Sequence, residues 1–253
     1  MRKFFVIFFS FLLLSQFVFS ASAKSPNANT EVPERSGDYQ EPGNPNVRVR
    51  VFVHNPKEKV SLSEQAVCTS DDPSSAVVGK TGWKLPTTNW TYRLNTSSVP
   101  ASVGGGNLST ITTNGFNSWT TSISSSSSKP VLVYGGTTTK TKSSYDGQNI
   151  IAWGRTSGST LGVTYVRYYT SSGIVVDVDT IMNTRYLWTL NTCSSNAYDA
   201  ADILVHELGH WFGLNDEYDQ SYVNNTMYGY GSKAERKKIT PEQGDIDGIN
   251  LIY

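Results

Sequence analysis

Apolar and polar residues alternate most strictly at Val47-Arg48-Val49-Arg50-Val51-Phe52-Val53, the period of a strand with one buried face. Trp90-Thr91-Tyr92-Arg93-Leu94-Asn95 repeats that alternation until Val99-Pro100 breaks it. The period changes after Gly104-Gly105-Gly106. Leu108, Ile111, Phe116, Trp119 and Ile123 recur at wider steps, which predicts a helix from an Asn107 cap to Ile123. A serine run over residues 124–128 ends it as a solvated loop. Residues 130–134, 149–154, 161–166 and 173–179 read as further strands, and residues 181–188 complete the sheet region. Near the C-terminus Ile246, Ile249 and Ile252 set an apolar stripe on a helix. Thr240 reads as its N-cap, Pro241 as its first helical residue and Gln243 as the second half of a capping box.

The first 80 residues follow different rules. Arg2 and Lys3 precede an apolar run over residues 4–19, and Ala21-Ser22-Ala23 has the small-x-small form of a cleavage site. Residues 1–23 therefore read as a secretory signal peptide, too short to span a bilayer, and the chain is expected to be secreted. Residues 24–80 form an N-terminal extension or pro-segment. Its first part, residues 24–46, is rich in Pro, Asn, Glu and Gly and is expected to be disordered. His54 closes the first strand and reads as a surface residue; residues 55–80 read as loop and carry Cys68. Residues 81–253 then form the main domain.

Charge excludes some partners. The 21 acidic and 21 basic side chains cancel, so neither nucleic acid nor a membrane surface is an expected partner, and a monomer is expected. Cys68 and Cys193 are the only two cysteines, and export to an oxidising compartment predicts a disulfide between them.

The chemistry concentrates in His206-Glu207-Leu208-Gly209-His210-Trp211-Phe212-Gly213-Leu214-Asn215-Asp216. On a helix His206 and His210 share a face one turn apart, so both imidazoles reach one metal. Glu207 sits beside that face, where it can take a proton from a metal-bound water. Gly213 can end the helix in a positive-φ conformation, and the chain then returns Asp216 as a third ligand. Glu217 and Asp219 are rivals in the same acidic turn.

This pattern, with Met227 in Asn225-Thr226-Met227-Tyr228-Gly229, resembles the metzincin metalloproteases; Asp216 stands where their third His is expected, as in the snapalysin-like members. Asp146-Gly147-Gln148-Asn149, Leu161-Gly162-Val163-Thr164, Val178-Asp179, Asn183-Thr184, Trp188 and the C-terminal helix resemble the matrixins in order, over about residues 81–253. The resemblance implies an α+β fold. Its parts are a twisted, mostly parallel sheet, an active-site helix, a Met-turn at Met227 and a C-terminal helix. It implies a secreted zinc endopeptidase acting on protein or peptide substrates, with Glu207 as general base and His206, His210 and Asp216 as ligands. Only one zinc is expected, since no histidines are left for the second, structural zinc of matrixins. Calcium at Asp146, Asp177 and Asp179 competes with plain turn capping. Tyr228 and Tyr230 are candidates for an oxyanion or pocket role. Leu161, Gly162 and Val163 are either the rim that pairs with substrate backbone or an ordinary interior strand. The Pro-Arg-Cys-Gly latency motif is absent, which leaves Cys68 as the competing candidate for a thiol that caps the metal. A zinc-binding adhesion or binding module without catalysis is the alternative function.

Overall fold

The computed structural model describes residues 31–57, Cys68 and residues 73–253. The expected signal peptide, and most of the expected loop between residues 58 and 72, lie outside the described residues. The described residues belong to a unit spanning Glu31–Tyr253.

The strands and helices follow in chain order. They are β1 (Gly37–Gln40), β2 (Val47–Pro56), β3 (Asn89–Leu94), α1 (Asn107–Ser122), β4 (Val131–Thr137), β5 (Asn149–Gly154), β6 (Gly162–Tyr169), β7 (Val175–Asn183), β8 (Trp188–Thr189), β9 (Tyr198–Asp199), α2 (Ala200–Trp211), β10 (Tyr230–Gly231) and α3 (Gln243–Asn250). The main sheet runs β1-β2-β6-β7-β5-β3-β4, with β10 joined to β2. Strands β4, β3, β5 and β7 are mutually parallel, β6 runs antiparallel to β7, and β2 runs antiparallel to β6. This is the mixed architecture with a mostly parallel core and a C-terminal helix that the sequence implies.

The parallel strands β5 and β7 are buried along almost their whole length; β5 reads as a largely apolar run, as a strand covered on both faces should, whereas β7 carries Asp177 and Asp179. One face meets α1 and α2, where Leu108, Phe116, Trp119, Leu204, Leu208, Trp211 and Phe212 make a dense aromatic core. Buried indoles need partners, and two find them across elements. Trp119 Nε1 donates to Val205 O at 2.8 Å, and Trp211 Nε1 donates to Thr180 Oγ1 at 2.9 Å. Truncating a fully buried residue such as Leu208 to Ala would cost roughly 2–5 kcal/mol.

Several expectations change. Part of the segment expected to be disordered is paired: β1 lies antiparallel to β2, with Tyr39 opposite Val49 and Arg48 Nε donating to Asp38 Oδ1 at 3.2 Å. Val49, Val51 and Val53 pack with Val163 and Tyr165 in a second small core, which supplies the burial that the composition of residues 24–46 lacks. Asn107 does not cap α1. It lies inside the first turn and donates from its amide to Val103 O at 2.7 Å, while Gly106 holds the cap position. The cap of α3 is Glu242, not Thr240, with Asp245 as its reciprocal partner instead of Gln243. The sequence offers two overlapping caps, and Asp245 wins because its carboxylate also anchors another loop, described below.

Candidate active site

Helix α2 starts where Asp199 accepts hydrogen bonds from the N–H groups of Ala201 and Asp202 at 2.9 and 3.2 Å. It ends at Gly213, whose φ of 97° lets Leu214 N–H donate back to Gly209 O at 3.2 Å. Between these ends His206, Glu207 and His210 are fully buried.

Each histidine is oriented by its Nδ1. His206 Nδ1 lies 2.8 Å from Thr226 O, and His210 Nδ1 lies 3.0 Å from Leu214 O. Carbonyls only accept, so both Nδ1 atoms carry protons, and each neutral ring presents a bare Nε2. Those two Nε2 atoms sit 3.1 and 3.4 Å from a single oxygen, Asp216 Oδ1. His206 Nε2, His210 Nε2 and Asp216 Oδ1 are all buried without a hydrogen-bond partner among the described residues. Three buried lone-pair atoms within 4.8 Å of one another would repel unless something positive sits between them. Two imidazole nitrogens and one carboxylate oxygen form a donor set that fits zinc and leaves a coordination position free. The field agrees. Burial pushes His206 down to about 4. Burial also opposes charge on His210, but Asp216 outweighs it and raises that pKa. Burial acts to raise Asp216, yet the two histidines hold it well below the ordinary carboxylate range.

The rivals of Asp216 point elsewhere. Glu217 Oε1 accepts from Gly79 N–H at 2.7 Å, and Asp219 is an exposed cap that accepts from Ser221 N–H at 2.9 Å. Tyr218, which the sequence reading missed, donates from its hydroxyl to Asp216 Oδ2 at 3.2 Å and so orients the second carboxylate oxygen.

Glu207 is held from one side only. Thr164 Oγ1 donates to Glu207 Oε2 at 2.5 Å. Since that hydroxyl has one proton, its 2.8 Å contact with Thr180 Oγ1 must be donated by Thr180, which in turn accepts from Trp211 Nε1. The other oxygen, Oε1, has no hydrogen-bond partner among the described residues. Burial raises Glu207 to about 7, with His210 and Thr164 opposing. A carboxylate poised near neutrality with one free oxygen suits proton transfer.

Met227 is fully buried against Gly209 of α2. A Cβ on Gly209 would lie 2.3 Å from Met227 Sδ and 2.8 Å from Trp119, so only glycine lets the helix and this loop approach. Asp245 of α3 fixes the loop by accepting from Thr226 N–H at 2.9 Å and Met227 N–H at 3.1 Å.

Other expected residues fall as follows. Cys68 and Cys193 are bonded, with Cα atoms 5.6 Å apart, so Cys68 is not a metal-capping thiol here. Tyr230 packs edge-on to Tyr218 and Tyr228, with ring centroids 5.2 and 5.6 Å away. Of Leu161, Gly162 and Val163, Gly162 borders Glu207, where a Cβ would lie 2.6 Å from Oε1, and the three form no open rim. Residues His54 and Val53 of β2 pair with Gly162 and Val163, which makes β6 an interior strand. Asp177 and Asp179 face a guanidinium: Arg167 Nη1 donates to Asp177 Oδ1 at 2.8 Å and Asp179 Oδ2 at 3.2 Å, and Arg167 Nε donates to Glu41 at 2.8 Å. Asp146 instead accepts from Gln148 N–H at 3.0 Å and pairs with Lys140. Turn capping and an internal ion pair engage these carboxylates.

His54 is the clearest correction. It is buried at 1% exposure, and its ring meets that of His206 edge-on at 3.9 Å between centroids. Its Nδ1 lies 3.9 Å from Glu207 Oε1, and with His206 and Glu207 it forms a second cluster of potential ligand atoms. Phe52, two residues earlier, stacks on His210 at 3.8 Å and 7°. Neither was legible, because a strand's register against a distant strand is not written in its own alternation.

None of the curated proteins compared with this chain matches it. The family model of the matrixins matches residues 83–253, which contain the helix, the loop at Met227 and the C-terminal helix just described. The match covers more than half of the chain, which therefore belongs to the matrixin family of zinc-dependent metalloproteases.

Proposed function

We propose that this protein is a secreted endopeptidase in which His206, His210 and Asp216 hold one catalytic zinc and Glu207 is the general base. The observation that carries the reading is the convergence of three unpartnered buried atoms, His206 Nε2, His210 Nε2 and Asp216 Oδ1, beside an uncommitted Glu207 Oε1. Zinc, when bound, supplies a Lewis acid that makes a water acidic near neutral pH and polarises a peptide carbonyl. Glu207 Oε1 accepts the water proton as the peptide bond is attacked and returns it to the leaving amine, while Thr164 holds Oε2 still. Tyr218 and Leu214 keep Asp216 and His210 aimed, so the ligand set is preorganised. Residues 1–23 act as the leader and residues 24–80 as an extension tied to the catalytic part by the Cys68–Cys193 bond. The substrates are proteins or peptides.

The test is cleavage of a denatured protein by the purified chain. Activity should vanish with a chelator, return with added zinc, and be absent in Glu207→Gln, which should keep its zinc. Cleavage that survives metal removal would contradict the proposal.

A further inference from the structure

Three hydrogen bonds in series lead away from Glu207. Thr164 Oγ1 donates to Glu207 Oε2 at 2.5 Å, Thr180 Oγ1 lies 2.8 Å from Thr164 Oγ1, and Trp211 Nε1 lies 2.9 Å from Thr180 Oγ1. All four side chains are fully buried. They come from three elements. Thr164 and Thr180 stand opposite each other in the antiparallel register of β6 and β7, and Glu207 and Trp211 belong to α2, with Trp211 next to His210.

The direction of this series is not free. An indole N–H can only donate, so Thr180 Oγ1 always accepts from Trp211. Thr180 then has one proton to place, and Thr164 Oγ1 is its other partner among the described residues. Thr164 in turn has Glu207 Oε2 for its own proton. A protonated, donating Oε2 would reverse the series, and one buried hydroxyl proton would be left without an acceptor, which is costly. The other carboxylate oxygen stands differently. Oε1 has no hydrogen-bond partner among the described residues. Gly162 lies two residues from Thr164 on the same face of β6, and a Cβ there would lie 2.6 Å from Oε1, so the glycine keeps the space beside that oxygen open.

We propose that Trp211 and Thr180 are positioning residues for Glu207: acting through Thr164, they keep Oε2 an acceptor, so that Oε1 alone carries the proton during hydrolysis. The proposal rests on the endopeptidase reading. An O–H bond of the attacking water breaks, its electrons stay on the oxygen as that oxygen bonds the carbonyl carbon, and its proton goes to Oε1. The Oε1–H bond then breaks as the C–N bond does, and the leaving nitrogen takes the proton. Trp211 and Thr180 contribute only through the orientation of one carboxylate, so their effect must pass through Thr164 and disappear when that link is cut.

The test is a double-mutant cycle on the full zinc-loaded chain, read as kcat and KM on a quenched fluorescent peptide library at equal zinc per chain. Thr180→Val should lower kcat about fivefold, the worth of one neutral hydrogen bond, with KM unchanged within about twofold. Thr180→Ser keeps the hydroxyl and should restore kcat to within about twofold of the unaltered chain. In a Thr164→Val background, Thr180→Val should cause no further loss, because the link to Glu207 is already absent. If Thr180→Val does not fold, Trp211→Phe takes its place in the same cycle, since it removes the donor that sets the direction. An unchanged kcat in Thr180→Val, a loss confined to KM, or the same fivefold loss in the Thr164→Val background overturns the proposal and leaves the endopeptidase reading standing. No hydrolysis by the unaltered zinc-loaded chain overturns the endopeptidase reading, and the proposal falls with it.

Discussion

His206 and Glu207 are chain neighbours on which burial acts in opposite senses. It keeps the imidazole neutral and ready to ligate, and it lifts the carboxyl to about 7, within reach of a proton at working pH. Glu207→Gln should therefore lower peptide hydrolysis at least ~10²-fold, with zinc retained, because the carboxyl moves a proton and holds no metal. Thr164→Val removes the hydrogen bond to Glu207 Oε2; kcat should fall about tenfold with zinc content unchanged, since a hydrogen bond to a charged group contributes about 1.5–3 kcal/mol. An unchanged kcat would show that Thr164 does not position the base. The ligand residues were legible in the sequence because one helix sets their spacing locally. Thr164, Phe52 and His54 were not, because they reach the site through strand register, and Tyr218 was masked by standing among three acidic residues.

At the scale of elements, α2 and the loop at Met227 are in contact because Gly209 has no side chain. Gly209→Ala drives a methyl into Met227 and Trp119, both fully buried. Overpacking of this kind costs about 1–3 kcal/mol, so the urea midpoint should fall and zinc affinity with it; an unchanged midpoint would show the contact to be loose. The Cys68–Cys193 bond closes a loop with a separation of 125 residues. Its removal by paired Ser substitutions should destabilise by roughly 2–4 kcal/mol. The order of strands and helices was largely readable from periodicity. The caps were less so: Thr240 and Glu242 both suit a helix start, and only the bonds from Asp245 to the Met227 loop decide between them. The strand β1 carried no pattern of its own, since its stability comes from β2 and the small core around Tyr39.

Across the whole molecule, the sheet is braced by a buried cluster in which Glu41, Asp177 and Asp179 share one guanidinium, Arg167. One positive charge cannot balance three negative ones, and burial lifts Asp177 to about 6 and Asp179 to about 7. Both values lie above the unfolded value of about 3.9, so near pH 7 the folded state binds more protons than the unfolded one. Stability from this cluster thus rises as pH falls from 8 to 6. Asp179→Asn removes that titration. In the presence of chelator, the urea midpoint of the unaltered chain relative to Asp179→Asn should be more favourable at pH 6 than at pH 8. The same difference at both pH values would show the cluster fully ionised. Because Glu41 belongs to the extension and Arg167 to β6, the same cluster pins β2 beside the active centre, a coupling between distant segments that no local sequence pattern encodes.

The account stands most directly on metal content. Zinc per chain, measured after dialysis on the unaltered protein and on Asp216→Ala, Asp216→His, Glu217→Ala and Asp219→Ala, separates the converging carboxylate from its neighbours. One zinc per chain is expected in all but Asp216→Ala, which should be largely metal-free, since two imidazoles alone hold zinc weakly. Stoichiometric zinc in a folded Asp216→Ala protein would contradict the account.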